Sequence, residues 1–325
     1  MIIMQPRNTY FTCPLFALVV LFSLFSSVSF SFAGSGIQPP TNAFMILNAD
    51  KQFKYAQDLF SAQDYLTAAG EYKRFVYFFP NDPRVELAMY RIGMSHYLGG
   101  HYREAISVFV KLTEQYFETE YSIKSYYRIS EAYIRLKAFD QALIDLNNLV
   151  TITHNEDAKD EAYYRIGWIY IETASWDEAR RYFNKISVKN HRKFKLEKLS
   201  AELDKETAIP RKNPKLAGVL SIVPGAGYLY CGRYQDALIS FLLNGGLIYA
   251  AYESFDKGQS ALGGVISFVA FGFYSGNIYG AVSSAHKYNR KKTGQFIQHL
   301  KNNVKINLSA DMKNRGIFLS LQWSF

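Results

Sequence analysis

The chain has 325 residues, room for two domains, and carries 37 basic against 28 acidic side chains, a formal net charge of +9. The average hides a division: Asp50 to Lys185 holds 17 basic and 20 acidic residues, while Ser187 onward holds 19 and 8. There the cations flank apolar stretches, which points to anionic lipid headgroups before nucleic acid.

Residues 1–33 read as a secretory signal, with Arg7, an apolar run from Phe11 to Phe32, and Ser31-Phe32-Ala33 before Gly34. The run is longer than a signal core needs, so an uncleaved anchor stays open; on either reading the repeats beyond it are exported. Cys13 lies inside this leader, leaving Cys231 as the one thiol of the mature chain and excluding an internal disulfide or a cysteine metal cage. Residues 34–49 read as a linker.

Residues 50–187 repeat at an interval of 37. Ala68, Ala105, Ala142 and Ala179 hold the register, with Tyr65, Tyr102, Phe139 and Trp176 three positions before them, Tyr72, Phe109, Leu146 and Phe183 four after, and the small residues Ala56, Gly93, Ser130 and Gly167 twelve before. Such a period marks stacked units, none of which buries its apolar face alone. The spacing predicts two antiparallel helices per unit, the second starting at Tyr65, Tyr102, Phe139 and Trp176, with its alanine meeting the small site of the first. Asn81-Asp82-Pro83 closes the first unit.

This pattern resembles the tetratricopeptide repeat, and the long unit with its D/H-Y-x-x-A-x-x-x-[FY] run is similar to the envelope subgroup of outer-membrane assembly lipoproteins and Tol-Pal coordinators. No lipobox cysteine follows the leader, so the likeness stops short of their lipid anchor. The resemblance implies an inner face lined by the first helix of each unit. It places Phe53, Tyr90, Tyr127 and Tyr164 at one equivalent groove position, with Met94, Tyr97, Glu131, Ile134, Arg135, Trp168 and Ile171 beside them. Tyr and Trp on successive rungs suit a peptide or extended segment of a protein partner, and equally suit packing between units. Arg91, Arg128 and Arg165 also recur at 37; they pair with acidic neighbours or form a ladder for a partner's carboxylates.

Residues 188–212 read as a solvated capping helix, His191 to Glu206, and a linker broken at Ile209-Pro210 and Asn213-Pro214. From 213 to 292 the chain turns apolar, with stretches at Leu216–Tyr230, Ala237–Tyr252 and Ala261–Ala281; the last is long enough to cross a bilayer and the others are marginal. The motif Pro224-Gly225-x-Gly227-x-x-Tyr230-x-Gly232-x-Tyr234 resembles hairpin-forming bacterial membrane domains of the transmembrane-2 type and a related uncharacterised family. That likeness implies an architecture and no reaction. The Pro-Gly pair predicts a turn between two short helices; a phosphate loop lacks the Gly-Lys-Ser/Thr that it needs. In the tail, 293–325, Val304, Ile306, Leu308, Ala310 and Met312, then Ile317 to Phe325, alternate around Asn314-Arg315-Gly316, a β-hairpin signature.

His96, His101, His154, His191, His286 and His299 form no i, i+4 pair, and no nucleophile or zinc motif is present. The expected fold is mainly α: a tetratricopeptide α-solenoid of about four helix pairs, a hydrophobic helical hairpin domain and a short C-terminal β-hairpin. The expected protein is a non-enzymatic exported scaffold with no cofactor, metal or nucleic acid, holding a protein partner in its groove and membrane lipid through the hairpin. The alternative makes the C-terminal domain the active module, a small channel, lipid-handling or sensor unit, with the repeats recruiting a regulator. Asn244 and Asn277 are the residues that hint at it, and they serve equally as interhelical glue.

Overall fold

A computed structural model describes residues 47–304; the leader, the linker up to residue 46 and the expected strands beyond Val304 lie outside the described residues. The second helix of each pair starts on the 37-residue register to the residue, while the first helices start 35 or 36 residues apart. The pairs are α1 (Ala49–Ser61) with α2 (Tyr65–Phe78), α3 (Val85–Leu98) with α4 (Tyr102–Gln115), α5 (Glu120–Arg135) with α6 (Phe139–Ile152), and α7 (Glu156–Glu172) with α8 (Trp176–Phe183).

Local chemistry sets these boundaries. Asn48, Asp64, Thr119 and Asn155 cap α1, α2, α5 and α7, their side-chain oxygens accepting first-turn amides. The first helix of every pair ends in a left-handed residue, again at 37-residue spacing: Gln63, Gly100, Lys137 and Ala174, with φ of 64, 80, 59 and 58°. Behind each, the next amide reaches back five residues, as from Asp64 to the Leu59 carbonyl at 3.0 Å and from His101 to His96 at 2.8 Å. This is the Schellman arrangement, which satisfies carbonyls the helix end leaves open. Only Gly100 is the residue type that favours it, so three of the four turns hold a side chain in the left-handed region.

Within a pair, the small site on the first helix makes room for the aromatic four residues after the alanine: a Cβ on Gly93 would come within 2.7 Å of the Phe109 ring, and one on Gly167 within 2.6 Å of Phe183 Cζ. The third unit has the larger Ser130 and, at the ring position, the smaller Leu146, both fully buried.

Successive pairs are joined by carboxylates that reach across the connections. Glu86 accepts from the Thr119 hydroxyl, Glu118 from the Thr153 hydroxyl and the His154 amide, and Asp160 from the amide and hydroxyl of Ser187 and, at 2.7 Å, from Asn190 Nδ2.

The expected solvated capping helix is instead two, α9 (Val188–Phe194) and α10 (Leu196–Leu203), broken at Lys195 (φ 52°), each solvated on one side and turned into the core on the other. Phe194 stacks on Tyr164 at 4.7 Å, and Leu199 and Leu203 are buried beside it. The chain then forms α11 (Pro214–Leu220), α12 (Ala226–Tyr230), α13 (Tyr234–Asp256) and α14 (Ser260–Asn303). The motif residues make the turns here. Gly225 (φ 87°) links α11 to α12, and Gly232 (φ 77°) links α12 to α13 with the same five-residue back-bond, Arg233 N to the Tyr228 carbonyl at 2.9 Å, that ends each first helix of the repeats.

α14 continues through residues assigned in sequence to the tail. Phe296, Ile297 and Leu300 recur at helical spacing and seal the solenoid end, with Phe296 edge-on to Trp176 at 5.6 Å, Leu300 and Val304 buried in the same core, and Lys301 paired with Glu172 at 2.6 Å. Val304, expected to open the first strand, thus caps a helix instead.

Candidate functional site

The expected groove residues lie on α1, α3, α5 and α7, and the structure divides them into two groups. Tyr90, Tyr127, Tyr164 and Trp168 are buried, and Phe53 is half-buried. Tyr90 packs on Phe109 and Tyr121, Tyr127 donates its hydroxyl to the Ala158 carbonyl of the next unit at 3.1 Å, and Phe53 meets Tyr72 and Phe75 edge-on. Tyr90 and Tyr127 thus reach from one helix pair to the next, where a solenoid has to find apolar volume, while Phe53 packs on the second helix of its own pair. Burial pushes the Tyr127 phenol far above its ordinary range.

Met94, Tyr97 and Glu131 are half-buried and Arg135 is exposed. The Tyr97 hydroxyl lies beside Arg135 and favours its charged form. Glu131 is already occupied: one oxygen takes Arg128 at 2.7 Å and the other takes Arg165 at 2.6 Å, while Arg165 also holds Glu161 at 2.9 Å and lies 4.5 Å over the Tyr127 ring. Burial opposes the charged form of Glu131, but the two guanidinium groups prevail and hold its carboxyl below the usual range. The recurring arginines therefore pair with acidic neighbours, and Arg165 does so across a unit boundary; Arg91 differs, lying 4.9 Å over Phe60. Of the expected groove residues, Met94, Tyr97, Ile134 and Arg135 remain partly or fully open and outside this charge network.

The hairpin of α13 and α14 is built inside out. Its buried positions are Ala237, Asn244, Ala251 and Ser254 on α13 and Gly263, Ala270, Asn277, Ala281, Ser284 and Ala285 on α14. Its exposed positions include Phe241, Leu242, Tyr249, Val265 and Phe271, with Phe268 80% exposed. A water-facing helix pair does the reverse, whereas helices packed in lipid place small and polar residues at their contact and apolar ones outside. Among the described residues α14 alone is long and apolar enough to cross a membrane, and only 11% of that window is buried. At the centre, Asn277 Oδ1 accepts from Gly225 N at 3.1 Å and Ser240 Oγ at 2.6 Å while its Nδ2 donates to the Ser221 carbonyl at 2.9 Å. One amide thus ties the Pro-Gly turn to both long helices.

At one end of this bundle, Asn289 exchanges two hydrogen bonds with the Lys212 backbone, at 2.7 and 2.8 Å. That contact brings Arg211, Lys212 and Lys215 beside Lys287, Arg290, Lys291 and Lys292 as a basic collar on the solenoid side of the apolar surface. Sequence analysis did not single out the polar stripe Asp236, Ser240, Asn244 on α13; its four-residue spacing inside an apolar segment is the signal that shows it.

Tetratricopeptide repeat models match residues 87–116 and 161–189, and a second such model matches 123–154. No curated protein matches the chain. Among solved structures it is similar to a tetratricopeptide repeat protein from Parabacteroides merdae, at 16% identity over 77% of this chain and 97% of the other with a TM-score of 0.37. A TPR repeats protein from Bacteroides fragilis gives 14% identity over 78% and 98% with a TM-score of 0.33. By the family models, the three helix pairs between residues 87 and 189 match tetratricopeptide repeats, and the first pair shares their 37-residue register.

Proposed function

We propose that the protein is an exported, non-enzymatic scaffold of the cell envelope, whose repeats hold a protein partner and whose α13–α14 hairpin tethers them to a membrane. The observation that carries the tether is the reversal of burial in the hairpin beside a solenoid of ordinary burial. A continuous apolar surface of this size is untenable in water and natural in lipid. The basic collar lies at headgroup depth, on the side of the repeats, where anionic lipid attracts it. The leader sets the side of the membrane, because a long preceding domain crosses regardless of its charge.

The partner is an extended segment lying along Met94, Tyr97 and Arg135, where an aromatic platform, a flexible apolar side chain and an exposed cation suit a chain bearing apolar and acidic residues. A photoreactive residue at position 97 in cells tests this, with carbonate extraction of the membranes and protease digestion of intact spheroplasts alongside. A discrete crosslinked protein, lost in the Met94→Ala, Arg135→Ala double variant, is expected, with the chain kept in the membrane pellet. Release by carbonate overturns the tether, shielding of the repeats from protease overturns export, and crosslinking indifferent to the double variant overturns the partner strip.

A further inference from the structure

The contact between α13 and α14 is not closed along its length. Between them lies a cleft of about 420 Å³, within the range of small-molecule sites. Its floor is polar: Ser240 and Asn277, bonded to one another, and Asn244, whose Nδ2 donates to the Ser240 carbonyl at 2.8 Å. Asn244 is 2% exposed, and its buried Oδ1 has no hydrogen-bond partner among the described residues. An amide oxygen so placed in a hairpin facing lipid costs more than it would at a wet surface, since no water is at hand to pair with it. The walls are apolar, Ile239 and Leu243 on one helix and Val269 and Phe273 on the other, and all four belong to the exposed apolar surface of the hairpin. The far side is kept open by Gly272 and Gly276, where an added Cβ would meet nothing within 4 Å.

The charge balance narrows what fits. The carboxylate of Asp236 at the mouth is paired with Arg233 at 2.6 Å, and the floor is made of hydroxyl and amide groups. A phosphate or carboxylate headgroup would meet a carboxylate at the mouth and no cation among the lining residues. A second copy would instead need a flat face for its helix, and the stripes of Gly245, Gly246 and Gly264, also without neighbours, offer that better than this concavity does.

We infer that the α13–α14 cleft binds a neutral amphiphile, entering from the lipid side, whose hydroxyl or amide N–H donates to Asn244 Oδ1 and whose hydrocarbon lies between Leu243 and Phe273. The inference rests on the membrane reading of the hairpin. It assigns the apolar domain a ligand in addition to a tethering role.

The test uses the full chain reconstituted into phosphatidylcholine vesicles, with a monoacylglycerol carrying a diazirine in its acyl chain as the probe. Crosslinks are expected on the peptides around residues 239–244 and 269–276. Unlabelled monoacylglycerol should displace the probe about three- to tenfold better than the methyl ester of the same acyl chain, the worth of one hydrogen bond in lipid. Gly276→Leu, which fills the cleft, should abolish labelling, and Asn244→Leu should remove the preference for the hydroxylated competitor. Gly272→Leu repeats the filling from one turn away, and unchanged helical circular dichroism with unchanged vesicle flotation shows that either variant has kept its fold. Equal displacement by the methyl ester, or labelling that survives both glycine variants, overturns the inference. Absence of lipid labelling together with chain dimers trapped by a bifunctional crosslinker in the same vesicles overturns it in favour of a second copy. Failure of the wild-type chain to float with vesicles, while labelling in detergent micelles persists, sinks the membrane reading and spares the cleft.

Discussion

Phe183 stands where a side chain on Gly167 would have to go: a Cβ there would lie 2.6 Å from the ring's Cζ, and Phe183 is itself buried. The relationship recurs at Gly93 and Phe109. In the third unit, where Ser130 replaces the glycine, Leu146 replaces the ring. The small and large positions are one choice made twice over, because the interior is close-packed and volume added on one helix is taken from its partner.

Gly167→Ala is therefore expected to destabilise the chain by about 1–2 kcal/mol, overpacking outweighing the gain in helix propensity. Phe183→Leu alone leaves a void and costs a similar amount. The double variant imitates the third unit, and its cost should fall short of the sum by about 1 kcal/mol. Hydrogen exchange of α7 and α8 amides in the full chain measures all three; strict additivity would show that the two side chains do not share one space.

The left-handed turns predict opposite signs at equivalent positions. Lys137 is exposed and holds φ of 59°, so Lys137→Gly should stabilise by about 0.5 kcal/mol, the relief of the side-chain clash less the entropy of the freer unfolded chain. Gly100→Ala, at φ of 80°, should cost about 1 kcal/mol. The shift in thermal midpoint of each variant reads the sign.

Glu118 supplies an acid-sensitive joint. Hydrogen bonds from the His154 amide and the Thr153 hydroxyl, with the His154 ring beside it, hold its carboxyl at about 2 against an ordinary 4.5. A depressed carboxyl stabilises the fold above its unfolded value, and the contribution is lost as pH falls from about 4.5 toward 2. Asp82, held at about 2 by hydrogen bonding from Arg84, acts in the same direction. Glu118→Gln should flatten the stability profile below pH 5 in urea melts of the full chain; an unchanged profile would assign the acid sensitivity elsewhere.

Leu300 joins the two halves. It is fully buried among Trp176, Leu199 and Leu203 at the end of a helix that also crosses the apolar domain. Leu300→Ala should cost about 2–5 kcal/mol locally, raise hydrogen exchange in α8 and α10, and leave α1 to α4 unaffected, since a solenoid transmits stability through neighbouring units. Uniform loss of protection along all the repeats would contradict this nearest-neighbour picture.

A four-fold period was enough, read along the chain, to place the second helix of every repeat at its first residue and to mark the apolar helix of the C-terminal half. Local rules act there: helix spacing, capping side chains and the length of an apolar run are properties of adjacent residues. The period could not say whether Tyr90, Tyr127 and Tyr164 face a partner or the next repeat, since one helical position borders both, and only the angle between stacked pairs assigns the ring to the seam. Nor could it show that Asn244 Oδ1 lacks a partner among the described residues while Asn277 makes three bonds, or that α14 runs on past Lys292 to close the solenoid with Leu300. Those facts depend on which distant surfaces meet, and a hydrogen bond or a cavity exists only once two segments far apart in sequence have been brought to the same place.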